Sequence, residues 1–165
     1  MATGRTVSKW TRFLVDGSDG TPREIPVDSI NGVGFSFDAV DLTAFQDAVK
    51  GYLAGHPDSA IEISGPFSNL AVAAAAASAA APVLSGSHTV LSAISTPTFA
   101  TPLGLAIMYG VRGFWATGDV VFGVVAPSAT EGYQCYSYIV DGEKYTASFK
   151  PIPGCTPAFG TAGLT

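Results

Sequence analysis

The sequence predicts a mainly β fold, an antiparallel β-sandwich or partly closed barrel flanked by one short α-helix. Three observations point there. Short runs alternate apolar and polar residues, as in Phe35 and Phe37 against Ser36 and Asp38, or Ile61 and Ile63 against Ala60, Glu62 and Ser64. Clusters of Gly, Pro and Asp separate these runs at the spacing of a sandwich. One segment, residues 42–53, carries the apolar period of a helix between plausible caps. A chain of 165 residues is one domain by default, drawn here as a single sandwich domain over 11–165 behind a flexible N-terminal arm over 1–10.

Taken in order, "TRFLVDG" reads as a strand entering the turn "DGSDGTP". "REIPVDSI" is extended, and Pro26 confines it to an edge or a bulge. "VGFSFDAV" alternates as a half-buried strand. Thr43 then stands as an N-cap with Gln46 three residues on, and Leu42, Phe45, Val49 and Tyr52 fall on one helical face before Gly55 and Pro57. "SAIEIS" returns to a strand. Residues 70–81 are nearly all alanine, compatible with a short helix or a surface loop, and "GSHTVLSAI" is ambiguous between a helical turn and a strand. The second half is strand-dominated: "TPLGLAIMYGVR", "GDVVFGVVAP", then the pair "GYQCYSYIV" and "KYTASFKP" around an Asp-Gly turn. The tail "CTPAFGTAGLT" reads as an irregular surface extension. No internal repeat is present.

Hydrophobic residues make up 47% of the chain and charged residues 13%, about half the usual charged share. Part of the surface is therefore expected to be covered by copies of the chain or by a partner. The net charge of −5 and the scattered basic residues argue against nucleic-acid binding through a basic patch. The first residues lack the apolar core of a signal peptide. The alanine tract is too short to span a bilayer, and Arg112 and Asp119 break the run from Leu103 to Val125, so no membrane association is expected.

Catalytic, cofactor and metal motifs are not found, and the chain is not expected to be an enzyme. His56 sits before Pro57; His88 follows Ser87, but adjacency in sequence does not make a triad. Asp16-Gly17-Ser18-Asp19-Gly20 has some look of a calcium loop, yet the closing position holds Val27 rather than Glu. "GVGFSF" is no dinucleotide fingerprint, and neither a P-loop nor a GxSxG elbow occurs. Trp10, Trp115, Tyr136 and Tyr138 could form a carbohydrate platform, although such residues more often fill a β-core or an interface. Cys135 and Cys155 are not a CxxC pair; the hairpin register places Cys135 opposite residues 148–150, so free, partly buried thiols are expected, as in a reducing cytosol.

The stretch "AVDLTAFQDAVKGYLAGHPDSAIEISGPFS" resembles the recurring core of siphophage tail tube (major tail) proteins. The closing run "GYQCYSYIVDGEKYTASFKPIPGCTPAFGT" is similar to that family's last hairpin. Together they cover mainly 38–67 and 131–161, and the alanine tract departs from the pattern. The resemblance implies a structural virion protein, made in the host cytoplasm, whose subunits form hexameric rings that stack into a tube. DNA would pass without tight binding. It implies contacts to other virion proteins, and to the next ring through the N-terminal arm, the 17–22 loop and the C-terminal tail. On this reading Phe45, Val49 and Tyr52 dock the helix, Ile61 and Ile63 lie in the core, and Glu62 and Asp38 are candidate lumen acids. The departures leave room for an alternative, a trimeric capsid decoration protein.

Overall fold

The computed structural model describes residues 11–77, 83–110, 116 and 118–161. Its elements run β1 Thr11–Asp16, β2 Pro22–Glu24, β3 Ser29–Asn31, β4 Ser36–Asp41, β5 Tyr52–Asp58, β6 Ile61–Pro66, α1 Ser87–Ile94, β7 Leu105–Tyr109, β8 Val120–Val124, β9 Tyr133–Asp141, β10 Lys144–Pro151 and β11 Ala158–Gly160. They form a five-stranded sheet in the order β11-β8-β7-β1-β2, a four-stranded sheet in the order β3-β6-β10-β9, and a separate two-stranded hairpin, β4-β5. Every named strand pair is antiparallel. The mainly β expectation holds, with sheets that stay open rather than closing into a barrel.

The two larger sheets supply one apolar core. Phe13, Val15, Leu105, Ile107 and Phe122 come from the five-stranded sheet, and Ile61, Ile63, Tyr145, Ala147 and Phe149 from the four-stranded one. The rings of Phe13 and Phe149 meet at 5.7 Å. Ile61 and Ile63 thus take the core positions their alternation predicts. β1 and β7 do not alternate because their sheet is covered on both faces. Leu14, Ala106, Met108 and Val121 form a second buried cluster behind it, with Ala77 packed on them. The Ala77 N–H donates to the Pro22 carbonyl at 3.0 Å. The described part of the alanine tract, 70–77, is therefore neither helix nor free loop but an extended cover over the back of the sheet, where small side chains permit close approach.

The expected helix over 42–53 is not formed. Residues 36–58 make the β4-β5 hairpin, with Val40 opposite Leu53 and Asp41 opposite Tyr52. The capping residues act locally instead. The Asp41 Oδ1 accepts from the Thr43 N–H at 2.9 Å, the Asp47 Oδ2 accepts from Ala44 at 2.8 Å, and the Thr43 Oγ1 accepts from Gly51 across the tip at 3.0 Å. The cap chemistry closes a loop, while the β-branched and aromatic side chains on either side favour strand pairing. β4 is a strand as expected, but it is exposed rather than half-buried.

The flanking helix is α1, in the segment the sequence leaves ambiguous. Val90, Leu91 and Ile94 enter the core. The buried Ser87 ties its first turn down: its Oγ donates to the Pro66 carbonyl at 2.9 Å and accepts from the Ser68 N–H at 3.0 Å. Gly86 permits this approach, since a Cβ there would lie 2.2 Å from the Leu70 carbonyl oxygen. The tail contributes β11, which pairs with β8 at the edge of the five-stranded sheet.

Candidate assembly surfaces

The β4-β5 hairpin is the most exposed apolar element described. All its strand residues except Gly55 are exposed. Phe45, Val49 and Tyr52, expected to dock a helix, stand in solvent instead, with the Phe45 side chain fully exposed at 109% and Val49 at 79%. The base of the hairpin is nevertheless anchored. Phe35 packs edge-on against the buried Phe122 at 5.9 Å, and Phe122 lies 4.7 Å from Phe159 of β11. The Tyr133 hydroxyl meets the Ser59 hydroxyl at 3.1 Å just where β5 hands over to β6. Burial pushes the Tyr133 phenol up to about 12, so it stays protonated and can hold these bonds across the ordinary pH range. The result is a firmly rooted, self-closed projection carrying uncovered aromatic and aliphatic side chains.

A second surface is the four-stranded sheet. Its strand β9 spans Tyr133–Asp141 and ends the sheet on one side; β3 ends it on the other. Only at Tyr133 does the outer edge of β9 have a described partner, where it exchanges two backbone hydrogen bonds with Leu103. Tyr136, Ile139 and Val140 on this strand are exposed. A long, apolar edge is a template for another strand.

The register fixes which residues share the face of this sheet turned away from the core. Ser29, Ser64, Thr146 and Ile139 lie in one row, and Asn31, Glu62, Ser148 and Ser137 in the next. The face is rich in hydroxyls and sparse in charge. Its cations are engaged: Lys144 donates to Asp28 at 2.8 Å, and Lys150 lies 5.4 Å from the centre of the Tyr136 ring. The bonds from Lys144 and Ser64 hold the Asp28 carboxyl below the usual range. Glu62 therefore belongs to a sheet face, as a lumen candidate should, whereas Asp38 sits apart on the hairpin.

The 17–22 loop is a turn between β1 and β2 in which Asp19 binds Arg23 at 2.8 Å. Asp16 is buried, with its Oδ2 accepting from the Gly104 N–H at 2.9 Å. Burial raises its pKa and the Gly104 bond opposes the rise. Asp16 and Asp19 are thus committed to backbone and guanidinium partners. Among the described residues no group of three or more His, Cys, Asp or Glu side chains could hold a metal.

His88 packs between Phe67, 4.9 Å away ring to ring, and Tyr138, whose hydroxyl meets its Nδ1 at 3.0 Å. Ser87 points elsewhere, to Pro66, so the Ser-His neighbours do not meet as nucleophile and base. His56 is exposed on β5. Cys135 sits opposite Phe149, as the register predicts. Both thiols are half-buried and unbridged, and burial pushes the Cys135 thiol up to about 11. Of the aromatic candidates, Tyr136 is exposed and Tyr138 half-buried, while Trp10 and Trp115 lie outside the described residues. The N-terminal arm does too.

No protein-family model and no curated sequence matches the chain. Solved structures do. A chain in the cryo-EM structure of the anti-feeding prophage (AFP) baseplate, 6-fold symmetrised, superposes with a TM-score of 0.57 at 10% identity. The match covers 100% of this chain and 99% of that one. A chain in the AFP tube terminating cap gives 0.55 at 12% identity, over 92% and 89%. At such identities the likeness establishes the fold. That fold occurs in structural components of phage-tail-like contractile injection particles, rather than in the siphophage tails to which the sequence motifs pointed.

Proposed function

We propose that the chain is a structural subunit of a phage-tail-like tube, in which copies join edge to edge into rings, six to a ring, and the rings stack. The observation that carries this reading is the four-stranded sheet with its long apolar edge at β9, its second edge at β3 and its hydroxyl-rich outer face. Pairing β9 of one copy with the β3 edge of the next would cover the exposed strand and continue the sheet around the ring. The outer face would then line the channel. Hydroxyls with few free cations give a wet surface to which a phosphate backbone does not cling, which suits passage of DNA without tight binding. The full-length match to a chain of a six-fold symmetrised baseplate supports a ring-forming role. The reading requires no catalytic chemistry, and places the protein in a virion-type particle beside other structural proteins.

The test is a charge on the edge. Ile139→Lys with Val140→Lys replaces two exposed side chains. The fold should be retained, with an unchanged circular-dichroism spectrum and melting temperature, while ring formation is lost. Rings formed by the double variant at wild-type concentrations would rule out β9 as the joining edge.

A further inference from the structure

A pocket of about 250 Å³ opens between the β1–β2 turn and the outer side of α1. Its walls are Gly17, Asp19, Arg23, Val72, Val90 and Ala93. Arg23 is 6% exposed, and its Nη atoms are committed to Asp19 and to the carbonyls of Ala73 and Ala75. Its Nε is buried and has no partner. A Cβ on Gly17 would stand 3.7 Å from that nitrogen, so the glycine leaves this side of the guanidinium bare. A buried donor without an acceptor is costly, and such a group marks a place where something else docks.

The hairpin tip offers the complementary set. Phe45 is wholly exposed, and the carbonyls of Phe45 and Gln46 accept no hydrogen bond among the described residues. The tip also carries Asp41 and Asp47 against one cation, Lys50, so its charge suits a guanidinium. Knob and hole sit at opposite ends of one strand. The hairpin leads into β6 at Ile61, and the chain leaves β6 at Pro66 towards Val72 and α1. Six residues of strand separate them by about 20 Å. One copy cannot fill its own hole this way, but a second copy displaced along β6 can. A contact between two different patches of identical chains repeats head to tail.

We propose that the Phe45 tip of one copy inserts into the Arg23–Val90–Ala93 pocket of the next, its ring on the aliphatic wall and a tip carbonyl on the Arg23 Nε, forming the stacking contact of the assembly. This rests on the tube reading, to which it adds the ring-to-ring interface; edge pairing through β9 is a separate contact. Cation–π attraction between the guanidinium and the ring adds to the fit.

The experiment uses the full chain. Phe45→Cys and Ala93→Cys are combined and oxidised, with each single variant as a control. In parallel, Ala93→Trp plugs the pocket from a half-exposed helix position. The double variant should give a ladder of disulfide-linked multimers, with single variants stopping at dimers. Ala93→Trp and Phe45→Ala should leave single rings and raise the concentration for stacking by about tenfold or more. Tubes that survive both substitutions, with no ladder, would overturn the knob-in-hole contact and leave the tube reading standing. A ladder without tubes would keep the contact and discard the tube. No ladder and no assembly of the wild type would discard both.

Discussion

Gly123→Ala probes the sheet junction on which both assembly surfaces depend. Gly123 lies in β8 opposite Ala106 of β7 and Ala158 of β11, with φ at +144°. A Cβ there would lie 1.9 Å from the Leu105 carbonyl oxygen, where ordinary contact begins near 3.4 Å. The difference, about 1.5 Å, must be met by moving β8 away from β7. Two ladder hydrogen bonds at about 1 kcal/mol each are weakened or lost. The unfavourable φ adds about 1–2 kcal/mol. The total, about 3–4 kcal/mol, is a large share of a typical stability of about 5–15 kcal/mol. For a chain of this size it corresponds to a drop in melting temperature of about 6–16 °C. Urea denaturation followed by tryptophan fluorescence, below the concentration at which copies associate, measures it directly. Gly142→Ala is the control: its φ is +62°, but nothing lies within 4 Å of the added methyl, so only about 1 kcal/mol should be lost. Equal effects at the two glycines would refute the argument, because strain alone would then explain both.

Three further outcomes follow from particular residues. Phe45→Asp should leave stability within about 0.5 kcal/mol of wild type by urea denaturation, since the ring touches no core; an unfolded variant would mean that the tip is buried. Ser87→Ala removes the hydroxyl that serves both Pro66 and Ser68, and should cost about 1–3 kcal/mol and speed amide exchange at Ser68 and in the first turn of α1. Asp16 has its pKa raised by burial, so its contribution is fully present below the ordinary carboxylate value and is lost as pH rises through the elevated one. Asp16→Asn should therefore gain on the wild type as pH is raised from about 3.5 to 7; a gap that is constant, or moves the other way, contradicts the desolvated carboxylate.

The parts of the fold that were legible in the sequence are those where local pattern and tertiary setting agree. Ile61-Glu62-Ile63 alternates and is half-buried, and Asp141-Gly142 turns a hairpin, with Gly142 in the left-handed region. Pro26 does separate two edge strands, β2 and β3. The segment 42–53 misled because its apolar residues satisfy a helical period without having a core to face. Their exposure is a property of the assembly and leaves no trace in the spacing. The true helix was obscured by its brevity and by a buried Ser87 at its start, which reads as polar although its hydroxyl is bonded within the fold. The alanine tract gave no clue that Ala77 would cover the back of a sheet. Of the assembly surfaces, the low charge announced that some surface would be covered, and the 17–22 loop was marked as a contact. Arg23 was not legible, because an unpaired Nε is a matter of three-dimensional accounting.

The most direct test of the central claim is electron microscopy of the purified protein at rising concentration, with particle mass measured on the same samples. The account predicts six-fold rings that give way to hollow tubes as concentration increases, the mass growing in steps of one ring. Discrete trimers, or a monomer that persists to high concentration, would contradict it.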